Sequence, residues 1–137
     1  MSASPAIIRG TFDVTLTPQT PDPGHGAAEP GRFTIDKQFH GDLDAHSLGQ
    51  MLAIRTGVAG SAGYVAMERV RGTLQGRPGT FALQHSGTMT RGVPGLTLTV
   101  VPDSGTEALV GLSGAMEIIV ADGTHSYVFS FTLPRLD

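Results

Sequence analysis

The stretch YVAMERVRGTLQGRPGTFALQHSG, residues 64–87, reads as two strands around a tight turn, and it places one carboxylate, Glu68, and one imidazole, His85, among apolar residues. With Gly76-Arg77 as the two central residues of the turn, Glu68 faces His85, Val70 faces Leu83 and Gly72 faces Phe81. Directly opposed residues share a face, with Cβ atoms about 5 Å apart. Tyr64, Ala66, Glu68 and Val70 then share a face with Phe81, Leu83, His85 and Met89. The other face pairs Arg69 with Gln84, Arg71 with Ala82 and Thr73 with Thr80, and reads as solvated. A turn centred on Pro78-Gly79 is the alternative, and an odd-length loop exchanges the faces of one strand.

A carboxylate beside an imidazole in a partly dry site is a candidate acid/base pair. Burial raises the carboxylate's pKa, a neighbouring imidazolium lowers it, and either group moves protons near neutral pH when suitably tuned. Tyr64, on the face of Glu68, is the candidate third catalytic group, donating a hydrogen bond to a substrate oxygen or enolate. Met51, Tyr127 and Phe129 are candidates for the apolar wall that a pocket requires. His125 reads as a rim or core histidine or as a candidate for the lumen mouth, and Arg55 as a surface residue or, since it shares parity with Met51, as a lumen group that binds an acidic group. The same pair also has a purely structural reading, in which Glu68 and His85 satisfy one another inside the fold. Both readings stay open at this point.

Other chemistries find less support. With no cysteine, thiolate catalysis, disulfides and cysteine-ligated zinc are excluded. Five histidines are present, but His40 and His46 flank GDLDA without a close ligand pair and no HExxH occurs, so no metal site and no cofactor is expected. Ser104 in PDSGT sits among ordinary turn formers. The nine Lys and Arg residues are scattered and the net charge is −3, which argues against a nucleic-acid surface. No charged n-region with a long apolar h-region opens the chain, and no stretch approaches the roughly 20 apolar residues of a membrane helix. A cytoplasmic protein without membrane contact is the expectation.

The elements that must position these groups are strands. The 137 residues suit one domain, residues 1–137, and 15% charged residues with 19 Gly favour an all-β chain with many turns. IIRGTFDVTLT alternates with period two, placing Ile8, Gly10, Phe12, Val14 and Leu16 on one face. The Pro/Gly-rich segment 18–31 reads as a long loop of functional or mobile character. RFTIDKQFHGDLD and SLGQMLAIRT follow as strand candidates, the second also compatible with a short helix. VPGLTLTVVPDSG puts Leu96, Leu98 and Val100 on one face, and TEALVGLSG reads as a helical turn with a Gly stop. AMEIIVADGTHSYVFSFTLP is a hairpin turned at Asp122-Gly123, with His125, Tyr127, Phe129, Phe131 and Leu133 on one face. About eight sequential antiparallel strands suit a closed barrel able to hold one small ligand, with a two-sheet sandwich as the alternative.

The segments GYVAMERVRGTLQGRPGTFALQHSGTM, LTVVPDSGTEALVGLSGAMEI and ADGTHSYVFSFTL resemble a bacterial family known as domain of unknown function 3224, and the resemblance runs from RGTFDV to FTLP. It is weakest in the Pro-rich loop, and Glu107 stands where a Gly is common in the family. The resemblance implies a barrel similar to allene oxide cyclase and no established reaction. By fold analogy it points to a lumen that binds a small hydrophobic or unsaturated molecule, with isomerisation or cyclisation as the chemistry. The alternative is a non-catalytic ligand-binding or protein-interaction module. Related barrels commonly oligomerise, so a homo-oligomer, dimer or trimer, is expected, with Val101, Ile119 and Val128 on the outer face.

Overall fold

The structure, a computed structural model, describes residues 5–20 and 30–134. Eight strands form one closed antiparallel barrel in sequence order: β1 (Ala6–Pro18), β2 (Gly31–Gly41), β3 (Leu43–Arg55), β4 (Ala62–Leu74), β5 (Arg77–Thr90), β6 (Val93–Val100), β7 (Ser113–Ala121) and β8 (Thr124–Thr132). β1 closes the ring by pairing with both β2 and β8. The all-β barrel is therefore as expected, and SLGQMLAIRT is strand through Arg55 rather than helix. Most of the Pro/Gly-rich segment 18–31, including His25, lies outside the described residues.

Period-two alternation produces the inside and the outside. Inward positions supply the core at the closed end, with Val70, Leu74, Phe81, Leu83, Leu98 and Phe129 all essentially buried. Burying each such side chain contributes about 1.5–3 kcal/mol. A 3-10 turn, Glu107–Leu109, adds Leu109 to this core, and Gly111 at φ +87 ends it. Glu107 itself sits at φ +54, the left-handed region in which glycine is at ease.

The β4–β5 hairpin corrects the expected register. Its turn is centred on Gln75-Gly76, with φ of +49 and +80, and Leu74 pairs with Arg77. Two central residues at positive φ make the type I′ turn whose twist matches the flanking strands, and glycine suits its second position. Every pair shifts by two residues: Glu68 opposes Leu83, Ala66 opposes His85, Val70 opposes Phe81 and Gly72 opposes Gly79. An even shift leaves the faces unchanged, so Glu68 and His85 remain inward and meet diagonally.

The expected solvated outer face is corrected as well. Arg69 opposes Ala82 and Arg71 opposes Thr80, and both Thr80 and Ala82 are buried. The chain after β6 folds back over them: Val101 N–H donates to Ala82 O at 2.9 Å and Thr106 N–H to Thr80 O at 2.9 Å. The Ser104 and Thr106 hydroxyls accept from the amides of Ala82 and Thr80 at 3.0 Å each. Ser104 is thus a turn and cover residue. Val101, Ile119 and Val128 lie off the core as expected, but a larger outward apolar set, Leu48, Leu52, Ile54, Val65 and Met67, stands on β3 and β4.

The barrel is uneven around its circumference. β4 pairs with β5 along its whole length, whereas β6 and β7 share one pair, Thr99 with Ala115. Toward the end of the barrel where β6 begins and β7 finishes, these strands diverge.

Candidate functional site

Four inward side chains from four strands meet inside the barrel. Glu68 of β4 is the hub: Lys37 Nζ of β2 donates to its Oε2 at 2.8 Å, and Ser47 Oγ of β3 donates to its Oε1 at 2.6 Å. His85 Nε2 of β5 also contacts Oε2. Tyr64 of β4 extends the chain outward, its hydroxyl 3.4 Å from His85 Nδ1. Lys37 lies 4.9 Å from the centre of the Phe12 ring and 5.5 Å from that of Phe39, so aromatic faces supply further cation contact.

Local backbone features make room for this cluster. Gly49 opposes Glu68 across β3 and β4, where an added Cβ would fall 2.2 Å from Met67 O. Gly87 opposes Tyr64, and an added Cβ there would fall 2.3 Å from the tyrosine Cε1. The Tyr64 ring therefore lies across the missing side chain of Gly87 and is held beside His85.

Burial alone pushes the Glu68 carboxyl up, but the His85 hydrogen bond and the Lys37 charge outweigh it and lower its pKa to about 2. Glu68 is thus a fixed carboxylate at neutral pH. Against such an acceptor a neutral His85 ring carries its proton on Nε2, which leaves Nδ1 to accept from the Tyr64 hydroxyl. Burial, and behind it the Glu68 charge, push the Tyr64 phenol up, so the hydroxyl keeps its proton.

Where β6 and β7 diverge, the barrel end opens into a cavity of about 390 Å³. Its walls are mainly apolar, with Met51 and Ala53 of β3, Leu96 of β6 and Ile118 of β7 among them. Tyr64 stands in the wall as the link to the buried network, and Arg55 stands at the rim.

The sequence-predicted residues separate along the barrel axis. Met51, Arg55 and Tyr64 line the cavity. His85 sits behind Tyr64 and is 4% exposed. The Glu68 side chain is 0% exposed, does not line the cavity, and has its oxygens in contact with Lys37, Ser47 and His85. Tyr127 and Phe129 do not line the cavity: both are core residues, and the Tyr127 hydroxyl donates to His40 O at 2.9 Å. His125 lies with Phe12 and Val14 in a separate recess, its ring 5.2 Å from that of Phe12.

Lys37 and Ser47 were not anticipated. The available signal was parity: Lys37 falls between Ile35 and Phe39, and Ser47 between Ala45 and Gly49, on the inward faces of their strands. His40 and His46 instead form exposed pairs with Asp13 and Asp36 at 2.8 and 2.6 Å. Among the described residues no group of three or more His, Asp or Glu is placed to hold a metal ion.

Comparison with known proteins supplies a relationship without an activity. A family model described as "Protein of unknown function (DUF3224)" matches residues 8–131. A crystal structure of a DUF3224-family protein of unknown function from Shewanella oneidensis MR-1 is similar over 96% of this chain and 100% of that one, at 46% identity and a TM-score of 0.88. No curated protein matches.

Proposed function

The chain belongs to the DUF3224 family, and from that premise we propose that it binds a small, mostly apolar molecule in the cavity at the open end of the barrel. The observation that carries this reading is the β6–β7 seam. One residue pair joins these strands, and beyond it they part to expose an apolar cavity of about 390 Å³. That volume lies within the range of small-molecule sites, roughly 300–1,000 Å³. The cavity also has the usual division of labour, with apolar walls and few polar groups. The test is to fill it. Native mass spectrometry of the purified chain and titration with apolar probes are expected to show a bound small molecule that Ala53→Trp excludes. Equal binding by the filled variant overturns the reading.

One geometric feature favours a second, catalytic reading. The only member of the buried network that stands in the cavity wall is Tyr64, and His85 and Glu68 are arranged behind it in series. In this reading Tyr64 is the group that exchanges a proton with an enolisable substrate, His85 receives or returns that proton through Nδ1, and Glu68 is a positioning residue. Isomerisation by proton transfer is the reaction class. Solvent-deuterium incorporation into a panel of unsaturated ketones tests it: Tyr64→Phe is expected to abolish incorporation while preserving binding. Undiminished incorporation by that variant removes Tyr64 from the chemistry.

A further inference from the structure

Resting on the binding role proposed above, we infer that the cavity selects an amphipathic anion, a carboxylate or similar acid on an apolar body, with the charged group held at Arg55. At about 30 Å³, the share of one water molecule in the liquid, the cavity of about 390 Å³ holds about a dozen water-sized groups.

Arg55 is the last residue of β3 and shares the inward parity of Met51 and Ala53, and all three line the cavity. It is exposed, and among the described residues no carboxylate forms an ion pair with it. An arginine at the rim of an apolar cavity, without an internal counter-ion, offers a planar fork of donors suited to a carboxylate. Arg91 occupies the neighbouring turn, which is tied to the β3–β4 loop through Gly92 N–H to Gly60 O at 2.9 Å. Among the described residues, Asp122, on the β7–β8 turn, is an acid at this end of the barrel.

The orientation of the ligand follows from the other polar groups. The Tyr64 hydroxyl is directed at His85, and the Glu68 carboxylate lies behind that ring. An anionic head placed deep among the apolar walls would lose its hydration, and the one cation in the buried network, Lys37, is already paired with Glu68. At the rim it keeps water and gains Arg55, while its apolar body displaces water from Leu96 and Ile118.

The inference is tested on the full chain with two probes of matched length, octanoate and 1-octanol, followed by amide chemical shifts at Tyr64, Gly87 and Ile118. The wild-type chain is expected to bind octanoate at least about tenfold more tightly than octanol, a difference of about 1.4 kcal/mol. Arg55→Gln is expected to bring the two within about threefold without weakening octanol, and Arg55→Lys to keep part of the preference. Salt of about 0.5 M is expected to weaken octanoate alone. Binding of both probes without preference, or a preference that survives in Arg55→Gln, overturns the anion and leaves the cavity reading standing. Binding of neither probe overturns both.

Discussion

Lys37 and Glu68, 31 residues apart in sequence, meet at 2.8 Å inside the barrel with side chains 5% and 0% exposed. This contact and that of His85 hold the Glu68 pKa at about 2, below its ordinary value of 4.5. The unfolded chain therefore takes up a proton at Glu68 at higher pH than the folded chain does. The stabilisation of the carboxylate over its protonated form is fully present above about pH 4.5 and is lost as pH falls toward about 2. The expected size is on the order of a few kcal/mol. Urea midpoints measured from pH 7 to pH 2.5 should fall for the wild-type chain, and the slope should be shallower for Glu68→Gln. Equal slopes would remove Glu68 as the acid-sensitive group.

Removing one member of the pair should be worse than removing both charges. Lys37→Met leaves Glu68 buried with His85 and Ser47 but without its permanent cation, and is expected to cost about 3–5 kcal/mol. Glu68→Gln strands the Lys37 ammonium between Phe12 and Phe39. The double variant buries neither charge, so its loss should be smaller than the sum of the single losses by at least about 1 kcal/mol. Chemical denaturation of all four chains closes the cycle. Strict additivity would show that the two side chains do not interact in the folded state.

Glycine positions under the two tyrosines should respond differently to alanine. At Gly87 the new Cβ meets the Tyr64 ring, a side chain at the open end that can swing away. At Gly10 it falls 2.2 Å from the backbone oxygen of His40 as well as 2.4 Å from the Tyr127 hydroxyl oxygen, and backbone cannot move without breaking the β1–β2 ladder. Gly10→Ala is expected to prevent folding or cost more than about 3 kcal/mol. Gly87→Ala should fold, with an altered tyrosine signal in near-ultraviolet circular dichroism. Adding Tyr64→Ala to Gly87→Ala should relieve the clash, and a thermal scan of the pair measures by how much.

Parity explains which parts of this arrangement were legible in the sequence. Alternation places Glu68, His85 and Tyr64 on one inner face, and a register shift of two residues leaves that placement intact because the period of a strand is two, whereas the weak alternation of β3 leaves Arg55 open between surface and lumen. Alternation carries no information about depth along the barrel. Tyr127 and Phe129 therefore looked equivalent to Met51 as pocket residues, although they belong to the core. Lys37 escaped notice because a lysine within a strand ordinarily faces water, and its partner is brought to it by β2–β3 and β3–β4 pairing rather than by any local signal. The cavity depends on where β6 leaves β7, a seam of one residue pair that has no residue pattern of its own.

The chain has two tyrosines, and the same substitution at each separates structure from function. The Tyr127 hydroxyl donates to His40 O at 2.9 Å and accepts the Leu43 amide at 3.3 Å, joining the ends of β2 and β3 to β8 in a site 1% exposed. Phenylalanine there leaves a buried amide and carbonyl without that partner, and an unsatisfied buried group costs about 1–3 kcal/mol. Tyr64 makes one long contact, 3.4 Å to His85 Nδ1, from the wall of a cavity. Its hydroxyl has less to lose, because water in the cavity can take its place at the imidazole. Tyr64→Phe is therefore expected to shift the urea midpoint by less than half as much as Tyr127→Phe. An equal loss at the two positions would assign the Tyr64 oxygen to holding the fold together, and the proton-transfer reading would lose the one group that brings the buried network to the cavity.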